Sequence, residues 1–579
     1  MHPARTRLRV VALLVAALPL GVTPTAGDEV PKDTSTIERL TPEQAARLME
    51  RFQGGTLGLD GLTRLDPATA RALADGLPRD TGMSAARFVL SLGGLPALDA
   101  AAAQALADSR WHHVGLDGLA SLPVATARAL AAFEGHLSLG GLRALDAEAA
   151  RALVAFKGHT LTLGGRAALA GPAAGELAGL RCGLLILREL TQLDEAMATA
   201  VAACRVRVHL AGHFTLTPAT ARRLSAFQGT SLTPAGLQAI DPETAELLAA
   251  TGAWSGDLPA LTSLDPPAAR ALARFDGQRL GLDGLTRIDA ATAAALAAFP
   301  GRELSLAGLG TLDAQTAAAL AGSQAWNGRL PGLKELDPGT AAALAKFGGE
   351  WLTLEGLVGI DAATARALAA FDGRLLNLSG LRTLDAATAT ALARSQAWNG
   401  EVWQMEALSA AALRPLAELA GDRAAALRVR GLTRLDAETA QVLASSPAWD
   451  GMLPNLRSLD ATTARVLVAC RAPGLSLAGL RTLDAETAAV LAGSQRWNGE
   501  LPGITALDGA DSLAVARALA ARTGPLALPR LAKITPRGLA ILLAKADVEI
   551  PPVATLELIA APDGGGNDDV AIPPRLRDR

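Results

Sequence analysis

Three histidines recur at matching points along this chain, and imidazole is the commonest transition-metal ligand in proteins. His112, His136 and His159 each lie thirteen residues after the residue that sets the repeat described below. Stacked repeats would place the three rings in a row, which could hold a metal ion for metal-dependent catalysis. The same point elsewhere carries Gln278 or Arg302, so an exposed polar position without a metal is the alternative.

A second pair of histidines lies in the segment HLAGH at 209–213. This segment lacks the Glu of a metalloprotease helix. The repeat places it on a strand and a turn, so His209 should face outward and His213 should fill a position that is Leu elsewhere. We therefore expect structural histidines here rather than metal ligands.

Three cysteines are too few for a disulfide framework in a chain of 579 residues. Cys204 and Cys470 occupy a position that is Phe in most repeats, which predicts burial as small hydrophobic side chains. Cys182 lies one repeat before Cys204, so a disulfide between these two is a second reading that depends on their separation.

The sequence carries no catalytic or nucleotide-binding motif that we can identify. No Lys is followed by Ser or Thr, as a P-loop requires, and G-x-S-x-G, G-x-G-x-x-G and H-E-x-x-H are absent. We therefore expect a protein that is not an enzyme and needs no cofactor. A metal-dependent enzyme at the histidine row is the alternative.

The charge balance excludes two classes of partner. Lys and Arg number 54 against 57 Asp and Glu, giving a net charge of −3, and 50% of the residues are hydrophobic. A charge-driven nucleic-acid or anionic-membrane binder needs a marked excess of basic residues. The apolar fraction also excludes general disorder.

The first residues have the form of an export signal. Three arginines within the first nine residues precede an apolar run at 10–20, and small residues follow at 25–27. This pattern predicts a signal peptide at 1–27, with a lead-in at 28–40. An uncleaved anchor is the alternative. After cleavage we expect no membrane insertion and an extracytoplasmic location, whether periplasmic, on the cell surface or secreted.

One phrase recurs along almost the whole chain. It reads LGLDGLTRIDAATAAALAAF at 280–299 and LSLAGLGTLDAQTAAALAGS at 304–323. The Asp that closes its Leu-rich half recurs every 24 residues at Asp241, Asp265, Asp289, Asp313, Asp337, Asp361 and Asp385. Extending this period predicts about 21 units over 41–546, so the chain is an array of repeats.

Each unit changes its periodicity at that Asp. Before it, Leu280 and Leu282 alternate with small or polar residues, as in a short strand with one buried face. After it, Leu296 and Phe299 lie on one face of a helix, for which Asp289 is the N-cap. Glycines follow the helices at Gly277, Gly301 and Gly373, where we expect C-terminal stops.

One strand and one short helix cannot bury their apolar faces alone, whereas stacked copies can. We therefore predict a right-handed, curved α/β solenoid with a parallel sheet on one face and short helices on the other. The phrase resembles the leucine-rich-repeat family, in particular exported bacterial members with a 24-residue LxLxGLxxLD unit. The family often has Asn where this chain has Leu285 or Leu309, so the turn backbone here needs other partners. The resemblance implies macromolecule binding on the sheet face.

Two kinds of unit alternate along the array. Most units have Phe ten residues after the Asp, and others have Trp thirteen residues after it, usually followed by a strand containing Pro. The second kind contains Trp254, Trp326, Trp398, Trp449 and Trp497. We expect each Trp to seal the core in place of the Phe, and an exposed aromatic stripe for glycans is the alternative. Pro removes a ladder donor, so these strands should be interrupted.

The outward positions of the predicted sheet form the candidate binding surface. They include Asp283, Ser305, Thr353, Glu355, Asn377, Ser379 and Ser476. These side chains are small and nearly neutral, with few of the aromatic or Arg anchors that tight interfaces use. We predict an exported, non-catalytic scaffold that binds a protein or a surface polymer. A structural spacer of the cell envelope without a discrete ligand is the alternative.

Some segments depart from the period. An insertion of nine residues falls near 78–87, and 164–183 is degenerate. Insertions in solenoids become loops on one edge. The pattern stops at 547, and 547–579 is predicted to form a cap and a flexible tail.

Overall fold

The computed structural model describes residues 33–52, 54–77, 88–164, 172–398, 400, 404–422 and 427–559. The predicted signal peptide, the insertion near 78–87 and the tail beyond 559 lie outside the described residues. The chain divides into two compact units, one of Met1–Ala168 with Leu180–Gly183 and one of Leu169–Gly179 with Leu184–Arg579. This division falls where the sequence repeat is degenerate.

The first unit alternates short helices with short parallel strands. Its helices are Pro42–Arg51, Pro67–Asp75, Ala100–Ala107, Val124–Leu130 and Ala147–Leu153, after a 3-10 turn at Thr34–Thr36. Its strands are Thr56–Gly58, Val89–Ser91, His113–Gly115, His136–Leu139 and Thr160–Gly164. Each strand pairs in parallel with the next along the chain.

The second unit continues this alternation over a longer stretch. Its helices are Pro172–Leu177, Glu195–Ala203, Pro218–Leu224, Pro242–Ala249, Pro266–Leu272, Ala290–Ala297, Ala314–Ala321, Pro338–Leu344, Ala362–Leu368, Ala386–Leu392, Ala410–Asp422, Ala437–Ser445, Ala461–Val468, Ala485–Ala492, Ser512–Ala520 and Pro536–Leu543. Its strands are Leu184–Leu190, Arg207–Gly212, Ser231–Thr233, Arg279–Gly281, Glu303–Ser305, Trp351–Thr353, Leu375–Asn377, Ala506–Leu507, Leu526–Ala527, Lys533–Ile534, Val548–Glu549 and Glu557–Leu558, with a 3-10 turn at Val553–Thr555.

Leucines at equivalent points of successive coils form the core of each unit. In the second unit, Leu280 pairs with Leu304 and Leu352 pairs with Leu376, in each case a step of one repeat. All four are fully buried, as is Ala293 on the helix side. Burying a Leu side chain contributes roughly 1.5–3 kcal/mol, so repetition builds a stable core from small units. The predicted α/β solenoid, with a parallel sheet on one face and short helices on the other, is confirmed within each unit.

The repeated Asp begins the helices as predicted. Its carboxylate accepts the backbone N–H of the third helical residue at Asp241, Asp265, Asp289, Asp313, Asp337, Asp361, Asp385, Asp436, Asp460 and Asp484. An Asp or Asn at this position stabilises a helix by about 1 kcal/mol compared with Ala. The capping prediction is therefore confirmed in most of the described coils.

In several coils a Thr three residues after the Asp ties the coil to the one before it. Its buried hydroxyl donates to a main-chain carbonyl of the preceding coil in the pairs Thr69–Leu40, Thr292–Leu264, Thr340–Leu312, Thr364–Leu336, Thr439–Leu408 and Thr487–Leu459. These hydroxyls supply partners for turn carbonyls in a chain that has no Asn ladder.

Acid should weaken this array. The Thr463 backbone N–H, with the Thr463 hydroxyl, lowers the pKa of Asp460 from its ordinary value, and Thr residues do the same at Asp289, Asp361 and Asp385. A lowered folded-state pKa adds stability above the unfolded pKa, and that stability is lost as pH falls through the folded value. We expect the urea midpoint to fall steadily below about pH 4.

The matched control is Asp460→Asn, which can still cap but does not titrate at this position. The midpoints of this variant and the wild type should differ at pH 6 and converge in acid. Parallel curves across this range would contradict the expectation.

The glycines after the helices act differently from the prediction. Gly277, Gly301 and Gly373 do not adopt the left-handed conformation of a C-terminal stop. A Cβ on Gly277 would lie 2.2 Å from the ring of Phe275, and the other two glycines meet their own Phe in the same way. Glycine is therefore required because the buried Phe ring lies directly over the backbone two residues later.

The Trp units seal the core, as predicted. Trp254, Trp326, Trp398, Trp449 and Trp497 are all buried. The described strands include none at these points, where isolated bridges replace them, which confirms the expected interruption. The glycan-stripe alternative is therefore wrong for these five residues.

A left-handed glycine follows each of these Trp residues by two positions. Gly256, Gly328, Gly400, Gly451 and Gly499 have φ values between +69° and +83°. Trp326 pairs with Leu304, whereas Arg329 pairs with Thr353, so Trp326 and Arg329 bracket a two-residue bulge. Such bulges are typical places for glycine, because other residues seldom adopt a positive φ.

Candidate binding surface on the sheet face

One large aromatic side chain lies exposed on the sheet of the second unit. Trp351 begins the strand Trp351–Thr353 and is 57% exposed, whereas Leu352 and Leu354 on either side of Thr353 are fully buried. This alternation places Trp351, Thr353 and Glu355 on the outer face. Exposed Trp residues are rare in proteins and frequent in binding sites.

Polar residues of the next coil lie on the same face as this Trp. Trp351 pairs with Leu375, and Thr353 pairs with Asn377. The Asn377 Nδ2 donates to Glu355 Oε1 at 3.0 Å, and its Oδ1 accepts the Ser379 N–H at 2.9 Å. The four predicted site residues of this pair of coils therefore lie together beside Trp351.

Arg329 adds a positive charge to this patch. It pairs through its backbone with Thr353, its side chain is exposed, and it makes no ion pair with any residue in the described ranges. Trp and Arg are the residue types that most often carry binding energy at interfaces. We call Arg329, Trp351, Thr353, Glu355 and Asn377 the Trp351 patch.

Two other predicted site residues, Asp283 and Ser305, form a hydrogen bond with each other. Asp283 Oδ1 accepts the Ser305 hydroxyl at 2.6 Å and the Ala307 N–H at 2.9 Å. The same arrangement joins Asp60 to Ser91 and Gly93, and Asp117 to Ser138 and Gly140. Because the arrangement recurs in both units, we interpret it as a structural link between adjacent coils. The Asp accepts a backbone N–H of the turn, a role that Asn often has in related repeats.

A charged network lies beside that link. Arg279 contacts Asp257 at 3.2 Å and Glu303 at 3.0 Å, and all three side chains are partly exposed. Exposed pairs of this kind contribute little to stability. Because Arg279 is already paired with Asp257 and Glu303, its charge is less available to a partner than that of Arg329 in the Trp351 patch. Ser476 is half-buried farther along the chain and pairs with the exposed Met452.

The histidine row differs from the prediction. His113, not His112, pairs with His136, and the ring centroids of His113, His136 and His159 are separated by 6.4 and 6.1 Å. His112 turns away and accepts the Phe88 N–H at 3.3 Å. Because His112 and His113 are adjacent, the repeat alone does not show which of them lies in the row. A register shift of one residue moves each side chain of a strand to the opposite face of the sheet.

The structure offers no metal site at this row. Among the described residues, no group of three His, Cys, Asp or Glu side chains could hold a metal ion. Burial lowers the pKa of the His113 imidazole, against the opposing charge of Asp117. A half-buried imidazole in a stack of rings is the result.

The HLAGH segment also departs from its prediction in one respect. Phe214 is buried where His213 was expected to fill a Leu position, and His213 is exposed with its Nδ1 3.2 Å from Gln238 Nε2. His209 is half-buried, and that burial lowers its pKa. Cys204 and Cys470 are buried as predicted, and Cys182 and Cys204 are thiols rather than a disulfide.

The sequence reasoning missed Trp351 itself. The equivalent residues are Glu303 two repeats earlier and Leu375 one repeat later, and both are half-buried, so the position faces at least partly outward. An aromatic residue there, outside both the Phe and the Trp positions of the repeat, was the available signal. In the part of the chain that the structure describes, no helix is both long and apolar enough to cross a membrane.

Comparisons with known proteins place this geometry beside several solved repeat structures. No family model and no curated protein matches the chain. The TLR13–ssRNA13 complex matches at 14% identity with a TM-score of 0.33, covering 79% of this chain and 63% of that one. An internalin from Listeria monocytogenes matches at 14% identity with a TM-score of 0.28, covering 67% of this chain and 92% of that one. A Leptospira interrogans LRR protein matches at 15% identity with a TM-score of 0.26, covering 77% of this chain and 94% of that one.

The repeat unit, its parallel strands and its capped helices define the class. Each compact unit of this chain is an α/β solenoid of leucine-rich-repeat type, with a 24-residue step where the strands pair in regular register. Among the described residues of the second unit, Trp351 is the exposed aromatic side chain on the outer sheet face.

Proposed function

We propose that this chain is an exported, non-catalytic scaffold that binds a protein through the Trp351 patch. The observation that carries the proposal is the 57% exposure of Trp351 on the sheet face. Removing a large apolar ring from water is a strong driving force for association. Asp283, Ser305, Ser379 and Ser476 form the flanking surface of the same proposal.

The composition of the patch favours a protein partner over a surface polymer. It combines one aromatic ring, one unpaired guanidinium and one carboxylate on flat, regular strands, as protein interfaces commonly do. The alternative of an envelope spacer requires no such anchor. Export rests on the N-terminal pattern, and fusion of residues 1–40 to a reporter active only outside the cytoplasm tests it separately.

Replacing Trp351 by Ala is expected to reduce partner capture at least about tenfold while leaving stability within about 0.5 kcal/mol. The ring is mostly exposed, so its loss opens no cavity. Wild-type and variant proteins would be immobilised and exposed to the extracytoplasmic fraction, with captured proteins quantified by mass spectrometry.

Val358→Ala is the matched control, because Val358 is also exposed in the same coil but lies outside the strand that carries Trp351. It should capture as the wild type does. Equal capture by the wild type and the Trp351→Ala variant would reject the proposal and favour the spacer.

A further inference from the structure

A polar groove of about 780 Å³ runs along the turn edge of the second unit, away from the Trp351 patch in sequence. Its lining draws on six successive coils, from Gln404 to Arg530. With a strand spacing of about 4.8 Å, it extends over roughly 24 Å. A groove of this length suits a linear chain better than a compact small molecule.

Two arginines occupy the same repeat position in adjacent coils of this groove. Arg457 and Arg481 each lie three residues before a capping Asp, and the Arg481 N–H donates to the Arg457 carbonyl at 3.0 Å. Their backbones are therefore one coil apart, and both side chains are exposed. Arg530 lines the end of the groove.

These three guanidinium groups lack compensation. Within the described ranges, none of them makes an ion pair or a side-chain hydrogen bond, whereas nearby Arg430 contacts Asp450 at 3.3 Å. Among the described residues that line the groove, Glu406 is the only carboxylate, so their net charge is +2. The whole chain has a net charge of −3, so this groove is a local reversal of sign.

The arginine pair is not imposed by the repeat. The same position holds Thr286, Gly310, Lys334, Val358, Arg382, Glu406 and Thr433 in the preceding coils. Two like charges at directly neighbouring positions of adjacent coils are mildly destabilising. A bound anion would offset the repulsion between Arg457 and Arg481. Arg is also the residue whose fork best fits a carboxylate.

The remaining lining suits a carbohydrate. Gly479 and Gly503 let successive coils pack closely, because a Cβ there would lie 2.3 and 2.4 Å from a carbonyl oxygen of the preceding coil, and Pro454 and Pro502 add rigid apolar surfaces to the lining. Pyranose rings present an apolar C–H face and a polar edge, which fit such a floor beside Arg and Thr side chains. We propose that this groove binds a linear polysaccharide of uronic acids, with its carboxylates held by Arg457 and Arg481.

The length and charge of the groove carry this assignment. Adjacent coils lie about 4.8 Å apart and the lining spans six of them, so a chain of uronic acids lying along the groove passes all three arginines. An acidic peptide is the alternative, and titration with hexaglutamate decides between the two.

Calorimetric titration of the full chain with hexagalacturonate tests this assignment. Binding should weaken at least about tenfold in the Arg457→Gln/Arg481→Gln double variant, since two charge-assisted contacts are lost. Arg382→Gln is the matched control, because Arg382 holds the same repeat position outside the groove and should bind within twofold of the wild type. Circular dichroism confirms that each variant is folded.

Three outcomes would overturn the proposal. They are equal binding of the fully methyl-esterified hexamer, binding of hexaglutamate at least as tight as that of the uronate, and no binding of hexagalacturonate by the folded wild type. Trp351→Ala should leave uronate binding unchanged, so this test and that of the Trp351 patch fail independently.

Discussion

Replacing Trp326 by Ala is expected to lower the free energy of unfolding by about 3–5 kcal/mol. The ring is 3% exposed, and its centroid lies 4.6 Å from that of Phe347 in the next coil. Phe347 in turn stacks on Phe371 at 6.5 Å. Removing the ring opens a cavity beneath the helix end and takes away the first member of this aromatic series.

Trp326→Phe separates the size of the ring from its polar group. The indole N–H is buried without a hydrogen-bond acceptor among the described residues. A buried unpaired donor is itself costly, so losing it should offset part of the lost volume. We expect the Phe variant to lose less than half of what the Ala variant loses.

Urea unfolding followed by circular dichroism would measure both variants, and hydrogen exchange over 304–371 would localise the change. Long repeat arrays can unfold in parts, so exchange in the affected coils is the more direct readout. A loss below 1 kcal/mol for Trp326→Ala, with unchanged exchange in these coils, would show that the Trp does not seal the core.

The regular parts of this molecule were predictable because one physical rule repeats. Spacing alone fixed the 24-residue step, the Asp caps and the burial of the Trp residues, since each coil must bury the same leucines against its neighbours. Prediction failed where the repeat permits two registers. His112 and His113 compete for one outward position, and only the three-dimensional pairing chooses His113.

Arg522 shows a second limit of the sequence. It lies over Trp497 at 4.8 Å and donates to the carbonyls of Ser494, Trp497 and Pro525. This is the place that Phe275 and Phe347 occupy beside Trp254 and Trp326. A guanidinium can replace a buried ring only where backbone carbonyls accept its N–H groups, here one from each nitrogen, and the sequence does not show those carbonyls.

The candidate site was only partly predictable for a related reason. Thr353, Glu355 and Asn377 followed from strand alternation, because their neighbours are leucines that must be buried. The same alternation places Trp351 on the outer face, but the sequence does not show how much of the ring the neighbouring coils cover. Only its actual exposure identifies it as an anchor.

Gly328→Ala is expected to cost at least about 3 kcal/mol, the sum of a strained backbone and a clash. Gly328 has φ +69°, and a Cβ there would lie 2.1 Å from the Trp351 carbonyl oxygen. The Thr353 N–H donates to the Gly328 carbonyl at 2.8 Å, so the two coils cannot separate without losing that bond.

Two further variants separate the causes of this loss. Gly322→Ala should be near neutral, because Gly322 has φ −77° and its nearest neighbour to a new Cβ is 3.5 Å away. Gly328→Asn should remain strongly destabilising, because Asn tolerates a positive φ but still carries the clashing Cβ. A mild effect of Asn beside a large effect of Ala would show that backbone strain alone requires the glycine.

Gly328 also connects the core to the proposed binding surface. A Cβ on Gly328 would clash with the carbonyl oxygen of Trp351. It should therefore displace the strand that carries the exposed ring. We therefore expect Gly328→Ala to reduce capture by the Trp351 patch even in the fraction that stays folded, whereas Gly322→Ala should not. Full capture by folded Gly328→Ala protein would show that the bulge stabilises the coil without positioning Trp351.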